Sequence, residues 1–252
     1  INLSHKLNED VLFYATYSEG FRPSGTNRLN KQARESGIVP ATYDSDTLTN
    51  LEAGFKSTFA DGKIVLNGNL HTMNWDDFQS TSYIYDLLTV AFVQNVGQAT
   101  ITGLELESYF NISDTFSASL MLALTDPEFK EDIYDLQGEL STPKGNQLAY
   151  VPTEQFVMSM NKDFVIRNRD AYVSYDHSYT GESYQSSANT DTNASYSLAN
   201  LRFGVNPSSK ASSQADDIFG FLKHSSVEVY LENVHDSDPT LGIYDDFGDI
   251  RR

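Results

Sequence analysis

Ser113-Asp114-Thr115-Phe116-Ser117-Ala118-Ser119-Leu120-Met121-Leu122-Ala123-Leu124-Thr125 alternates between two kinds of residue along its whole length. Phe116, Ala118, Leu120, Leu122 and Leu124 share one parity; Thr115, Ser117, Ser119, Met121, Ala123 and Thr125 share the other. Successive side chains of a strand point to opposite faces, so this is a strand with one apolar and one more polar face. The segment before it repeats the pattern, with Leu104, Leu106 and Phe110 set against Gly103, Glu105 and Glu107. The Asn111-Ile112-Ser113-Asp114 stretch between them predicts a tight turn, and the two strands a hairpin.

Working outward, the same alternation returns. Leu51, Ala53, Phe55 and Phe59 alternate with Asn50, Glu52, Gly54 and Lys56, and after Ala60-Asp61-Gly62, Ile64, Leu66 and Leu70 alternate with Val65, Asn67, Asn69 and His71. Further rows are Phe156, Met158 and Met160; Ala171, Val173, Tyr175 and Tyr179; Ala199, Leu201, Phe203 and Val205 against Asn200, Arg202 and Gly204; and Val227, Val229 and Leu231 against Glu228, Tyr230 and Glu232. Val11 to Phe21 is a further strand with less clearly separated faces. Helices are a poor alternative, because a 3.6-residue period is absent and Gly and β-branched residues punctuate the segments.

Length chooses among β architectures. Strands of roughly 11 residues at about 3.3 Å each span about 36 Å, or about 25 Å along a barrel axis at a 45° tilt, which is the height of an outer-membrane apolar band. Strands of soluble sandwiches more often run about five or six residues. The connections alternate as well. Turns near Asp61, Ser113 and Arg167 are short, whereas 20–46, 76–96, 126–152 and 181–194 are long and polar, the asymmetry of barrels with short periplasmic turns and long outer loops. The long connection from Asn206 to Ser225 departs from that alternation. Aromatics at Tyr14, Tyr17, Phe21, Trp75, Phe78, Phe110, Tyr175 and Tyr179 lie towards strand ends, where a girdle at headgroup level is expected. The expected fold is therefore all-β, an antiparallel transmembrane β-barrel segment of about nine or ten strands filling residues 1–252.

Composition narrows function. With 17 basic and 35 acidic residues the net charge is −18, which excludes a nucleic-acid-binding surface. No Cys is present, so neither disulfides nor thiolate metal sites are available. Mean hydropathy is −0.41, a value a barrel shares with soluble proteins because inward polar residues offset outward apolar ones.

Several stretches resemble the C-terminal barrel of TonB-dependent receptors. Tyr14-Ala15-Thr16-Tyr17-Ser18-Glu19-Gly20-Phe21-Arg22-Pro23-Ser24-Gly25 is similar to a strand end entering an outer loop, and Leu51-Glu52-Ala53-Gly54-Phe55-Lys56 to the next descending strand. Asn95-Val96-Gly97-Gln98-Ala99 with Gly103-Leu104-Glu105-Leu106-Glu107 resembles the family's N-x-G and G-x-E-x-E elements, and Val229 to Val234 its penultimate strand. The resemblance implies a barrel of about 22 strands with a plugged lumen. It also implies a chain that starts in mid-strand at Ile1 and stops at Arg252, with the plug, the TonB-contacting region and the closing strand outside it. The implied function is uptake of a scarce nutrient, a ferric siderophore or similar large chelate, across the bacterial outer membrane. Implied partners are the TonB complex, the plug, membrane lipid and lipopolysaccharide, and the small-molecule ligand. A passive porin and a soluble extracellular β-sandwich are the alternatives.

No catalytic constellation is legible. His5, His71, His177, His224 and His235 are dispersed, neither a nucleophile motif nor a His pair at metal-ligand spacing occurs, and the acidic clusters at 126–135 and 236–249 read as solvated loops. The chain is thus expected to be no enzyme, to hold no metal and to need no cofactor. Glu52, Lys56, Glu105, Glu107 and Arg202 are expected to face the lumen and meet the plug, since charges facing lipid would cost about 2–4 kcal/mol for Arg or Lys. For the ligand, the loop residues Arg22, Arg28, Tyr83, Tyr85 and Tyr184 are the candidates, Arg to pair with an anion and Tyr to stack on a ring.

Overall fold

The computed structural model describes residues 1–84, 90–166, 169–206, 225–244 and 248–251. Strands β1 (Asn2–Lys6) and β2 (Val11–Arg22) form a first hairpin, followed by a loop that holds β3 (Gly25–Thr26), helix α1 (Lys31–Ser36) and β4 (Thr42–Tyr43). Then come β5 (Asp46–Phe59), β6 (Ile64–Asp76) and a loop hairpin of β7 (Gln79–Ile84) and β8 (Val90–Asn95). The long pair β9 (Ala99–Ser113) and β10 (Phe116–Phe129) precedes a third loop with β11 (Ile133–Tyr134) and β12 (Leu140–Thr142). After β13 (Glu154–Ile166) and β14 (Arg169–Thr180), a fourth loop carries β15 (Ser183–Tyr184) and β16 (Thr192–Asn193). The chain ends with β17 (Tyr196–Val205), β18 (Val227–Leu231), β19 (Thr240–Tyr244) and β20 (Gly248–Arg251).

Ten of these strands form one sheet in the order β1-β2-β5-β6-β9-β10-β13-β14-β17-β18. Each pairs antiparallel with its neighbour, giving an up-and-down meander with β1 and β18 as its edges. The strand count, the short turns at one end and the long loops at the other agree with the sequence reading. Two details differ. β9 continues to Ser113 and the turn is Asp114-Thr115, because a register shift at Phe116/Ser117 absorbs Ile112 within the strand. The first loop contains a short helix, since Asn30 caps it by accepting from the Ala33 amide (2.7 Å) and Gly37 ends it at φ 66°. The Arg167 turn, most of the 206–225 connection and His224 lie outside the described residues.

The pairing register fixes which residues share a face. Phe13–Phe55, Ala53–Leu70–Leu104–Leu124 and Leu106–Leu122–Phe156 run across the sheet on one face, and many of these side chains are open to the surroundings, Leu70 at 60% and Phe13 at 47%. Glu52–His71–Gly103, Asn69–Glu105–Ala123 and Asn67–Glu107 run across the other. A hollow of about 550 Å³ opens on this carboxylate face.

Towards the loop end the two faces exchange character. On the leucine face, Leu70, Leu104 and Leu124 give way to the row Thr72–Thr102–Asp126 and then Asn74–Thr100–Glu128. On the carboxylate face, Glu105 and Gly103 give way to Met73–Ile101–Pro127 and Trp75–Ala99–Phe129. Ala99 and Phe129 are buried there with Ile133 and Leu148, and Trp75, Phe78, Val96, Ile101 and Val151 pack on them. This is a small core made by loops folded over the carboxylate face. A strand of 15 residues such as β9 reaches about 35 Å along a tilted axis, beyond an apolar band of about 25 Å. The projecting part stands in water, and its apolar residues turn inward. Trp75 and Phe78 consequently belong to this inner core and Tyr14 to the carboxylate face, whereas Tyr17, Phe21, Phe110, Tyr175 and Tyr179 share the leucine face. The expected girdle is therefore smaller than the sequence suggested.

Glycines in the sheet sit directly opposite rings. Tyr14 pairs with Gly54, Phe55 with Gly68, His71 with Gly103 and Tyr172 with Gly204. Each ring lies over the space a side chain would fill: a Cβ on Gly54 would stand 2.6 Å from the Gly68 carbonyl and 2.8 Å from the Tyr14 ring. Gly20, by contrast, has nothing within 4 Å. In thermal unfolding of the full-length protein in detergent, Gly54→Val is expected to destabilise by about 1–3 kcal/mol through overpacking, while Gly20→Ala stays near wild type. Equal melting of the two variants would contradict the close-packed ring.

Candidate functional site

The mouth of the sheet is tied together at Asp46. Its carboxylate is 1% exposed and accepts from the Arg22 guanidinium, from Trp75 Nε1 at 2.9 Å and from the Gln79 amide at 3.1 Å. Arg22 also donates to the Gln79 carbonyl at 2.9 Å and lies over the Trp75 ring, 4.9 Å from its centroid. One carboxylate thus joins the ends of β2 and β6 to the start of β7. Asp46 stands above the apolar band, beyond Thr47 and Thr49 on the same strand. Burial pushes its pKa up, but the Arg22 side chain, the Gln79 amide, the Trp75 indole and the Arg22 amide outweigh burial and hold it at about 2.

The loops above this knot are laced by side-chain amides. Asn27 in the first loop donates to the Val93 carbonyl (2.7 Å) and accepts from the Val93 amide (2.8 Å), as a neighbouring strand would. Asn95 accepts from the Asp44 amide and donates to the Asp44 and Asp77 carbonyls. Ala33 and Val39 of the first loop bury Phe92 of the second, with Leu136 of the third packed against them. Asn189 of the fourth loop makes the same two-point contact to Gln147 of the third (2.7 and 3.0 Å). The four loops form one connected roof.

Within that roof, between the β7/β8 hairpin and the third loop, lies a partly open cavity of about 430 Å³. Phe78, Phe92, Phe129 and Tyr134 supply its apolar walls, and Ser80, Ser82, Gln94, Gln137, Ser141 and Thr142 its hydrogen-bonding groups. This mixture suits a ligand of moderate size held by a few oriented polar contacts.

The residues expected at the lumen share the carboxylate face. Glu52 accepts from the Tyr14 hydroxyl at 2.5 Å, Asn69 donates to Glu105 at 2.9 Å and Asn67 to Glu107 at 3.0 Å. Lys56, Glu105 and Glu107 line the large hollow. Arg202 is further round the sheet, 3.5 Å from Glu228, which also accepts from the Tyr172 hydroxyl.

The ligand candidates are not brought together. Arg22 is engaged by Asp46, while Arg28 is exposed in the first loop. Tyr184 is half-buried in the fourth loop, where its carbonyl accepts from the Tyr150 amide at 2.8 Å. Tyr83 pairs with Ala91 in the loop hairpin, and Tyr85 lies outside the described residues. Sequence reasoning missed the roofed cavity; the available signal was the recurrence of Phe78, Phe92 and Phe129 beside Ser- and Gln-rich loop segments. Among the described residues no three metal-ligating side chains converge, and no helix is long and apolar enough to cross a membrane, a test that does not bear on strands.

A family model described as TonB-dependent receptor-like, β-barrel, matches residues 1–234. Among solved structures, the chain is similar to the ferric yersiniabactin uptake receptor FyuA from Yersinia pestis, at 18% identity and a TM-score of 0.72, covering 100% of this chain and 34% of that one. The siderophore receptor PiuA from Acinetobacter baumannii is 17% identical with a TM-score of 0.72, covering 99% and 33%. The ferric-catecholate import receptor Fiu from K12 E. coli is 14% identical with a TM-score of 0.66, covering 100% and 32%. The chain spans about a third of the length of these receptors.

The knot yields a prediction. Asp46→Asn keeps the shape but removes the charge, and is expected to cost about 1.5–3 kcal/mol and to speed amide exchange in Gln79–Ile84. The folded pKa lies below the ordinary 3.8, so the carboxylate's contribution is whole above about pH 4 and is lost as pH falls through about 2. Wild type and variant should converge over that window in acid unfolding. A gap that persists unchanged to the acid end would assign the effect to something other than ionisation.

Proposed function

Because the chain belongs to the TonB-dependent receptor-like β-barrel family, we propose that it forms wall and mouth of an outer-membrane importer that takes up a scarce nutrient, a ferric siderophore or similar large chelate, with energy delivered through TonB. Receptors of this family reside in the outer membrane of Gram-negative bacteria and transport rather than catalyse. The observation that carries the reading is the exchange of faces along the strands. It supports a lipid-facing band, a polar interior below the loops, and a ligand-binding region among the loops above. The siderophore cargo rests on likeness to receptors whose names state ferric yersiniabactin and siderophores.

In this reading the ligand enters from the loop end and is held until a TonB-driven change in the plug opens a path, so selectivity comes from differential binding. Glu52, Lys56, Glu105, Glu107 and Arg202 meet the plug. Their neighbours Tyr14, Asn67, Asn69 and Glu228 hold Glu52, Glu107, Glu105 and Arg202 in place, so the wall offers fixed charges to a plug surface of opposite sign. Lipid and lipopolysaccharide surround the leucine face, and Arg28, Tyr83, Tyr85 and Tyr184 remain ligand-facing candidates in the loops.

The test uses the full-length receptor in cells. Uptake of labelled iron chelates is expected to require TonB and an energised inner membrane; uptake that persists without TonB would reassign the protein to passive diffusion. Glu105→Lys combined with Glu107→Lys is expected to lower uptake by at least about tenfold at unchanged surface abundance. Wild-type uptake in that double variant would remove the plug contact from the reading.

A further inference from the structure

The cavity among the loops has no cation among its described lining residues. Among the described residues, Asp135 is its one charged lining residue; the rest are aromatic, aliphatic, hydroxyl or amide groups. Its surroundings are acidic too. The second loop, 77–98, contains Asp77 and Asp86 but neither Lys nor Arg, and the fourth, 181–195, contains Glu182 and Asp191 and again neither. In the third, 130–153, Lys130 and Lys144 stand against Glu131, Asp132, Asp135 and Glu139, and Lys130 is bound to Glu128 at 2.7 Å. None of the first-loop cations Arg22, Arg28, Lys31 and Arg34 lines the cavity: Lys31 is near Glu35 at 3.8 Å, Arg34 donates to the Leu29 carbonyl, Arg22 belongs to Asp46, and Arg28 is exposed elsewhere in the loop.

We infer that this cavity selects an uncharged, hydrogen-bonding, ring- or chain-bearing ligand and rejects polyanions, an inference that rests on the importer reading above. The chemistry separates classes of ferric chelate. Three singly charged hydroxamates cancel the charge of ferric iron and leave a neutral complex. Three doubly charged catecholates leave a trianion, which would have to shed its water beside Asp135 with no cation among the described lining residues to replace that water. A neutral complex meets no such penalty. Its methylene and amide surface fits Phe78, Phe92 and Phe129, and its carbonyls fit the Ser82 hydroxyl and the Gln94 and Gln137 amides. A neutral oligosaccharide offers the same chemistry from another source, its ring faces to the phenyl groups and its hydroxyls to the amides.

The experiment measures equilibrium binding to the purified full-length receptor, independent of TonB, for a ferric tris-hydroxamate, a ferric tris-catecholate and a neutral oligosaccharide. An uncharged probe is expected to bind at least about a hundredfold tighter than the trianion. Ser82→Lys, which places a cation in the wall, and Asp135→Asn, which keeps the acceptor oxygen of the turn, are each expected to narrow that ratio by about tenfold. Binding of the hydroxamate complex with these shifts upholds the inference and the iron reading together. Binding of the oligosaccharide alone, with Asp135→Asn again improving the trianion's relative affinity, upholds the uncharged-ligand inference and overturns the iron cargo. Preference for the trianion, absence of binding by every probe, or ratios that neither variant moves would overturn the inference.

Discussion

Inside a hydrocarbon layer no water is available to a backbone N–H or C=O, so each must be paired by an adjacent strand. The ten-stranded meander, in which each strand pairs antiparallel with the next one in the sheet, satisfies that demand between its edge strands β1 and β18. Because pairing fixes register, and register fixes faces, the same ladder that satisfies the backbone also decides which side chains meet lipid. Long strands then carry this two-faced wall out of the lipid, where water replaces hydrocarbon on the outer side. The exchange from Leu70–Leu104–Leu124 to Thr72–Thr102–Asp126 on one face, and from Glu105 to Ile101 and Ala99 on the other, is the response of one continuous strand to that change of solvent.

The loop roof follows from this exchange. Once Trp75, Ala99 and Phe129 turn inward above the membrane they need a cover, and the loops supply Phe78, Ile133, Leu148 and Val151. The Asp46 knot sits where wall becomes roof. Three elements would otherwise diverge there, and a buried carboxylate with four donors holds them at one point. A single cation would neutralise the charge, but only the additional N–H donors fix the direction in which β7 leaves the sheet.

Much of the wall was legible because strand periodicity is a local signal. Glu52, Lys56, Glu105 and Glu107 could be assigned a common face from alternation alone, and the Asn67 and Asn69 partners follow once adjacent hairpins are paired. The roof was not legible for the complementary reason. Arg22, Asp46, Trp75 and Gln79 are separated by 24 to 57 residues in the pairs they form, and nothing local in the sequence couples them. Arg22 reads as a solvent-facing loop cation until its carboxylate is found. Trp75 and Phe78 likewise read as girdle residues, since an aromatic at a strand end carries no mark of which side it faces. Only the register, which gives Trp75 the parity of Glu105's neighbours Asn69 and His71, resolves it.

The choice of amides to lace the roof has its own logic. An Asn side chain carries one carbonyl and one NH₂ group, so Asn27 and Asn189 each bind both the N–H and the C=O of a single residue, Val93 and Gln147, as an added strand would. Being uncharged, these contacts do not weaken as salt rises, unlike exposed ion pairs. Each contributes only about 1 kcal/mol net, far less than the cooperative ladder beneath. Stability therefore falls from the wall to the roof, and the loops can separate without disturbing the strands that hold them.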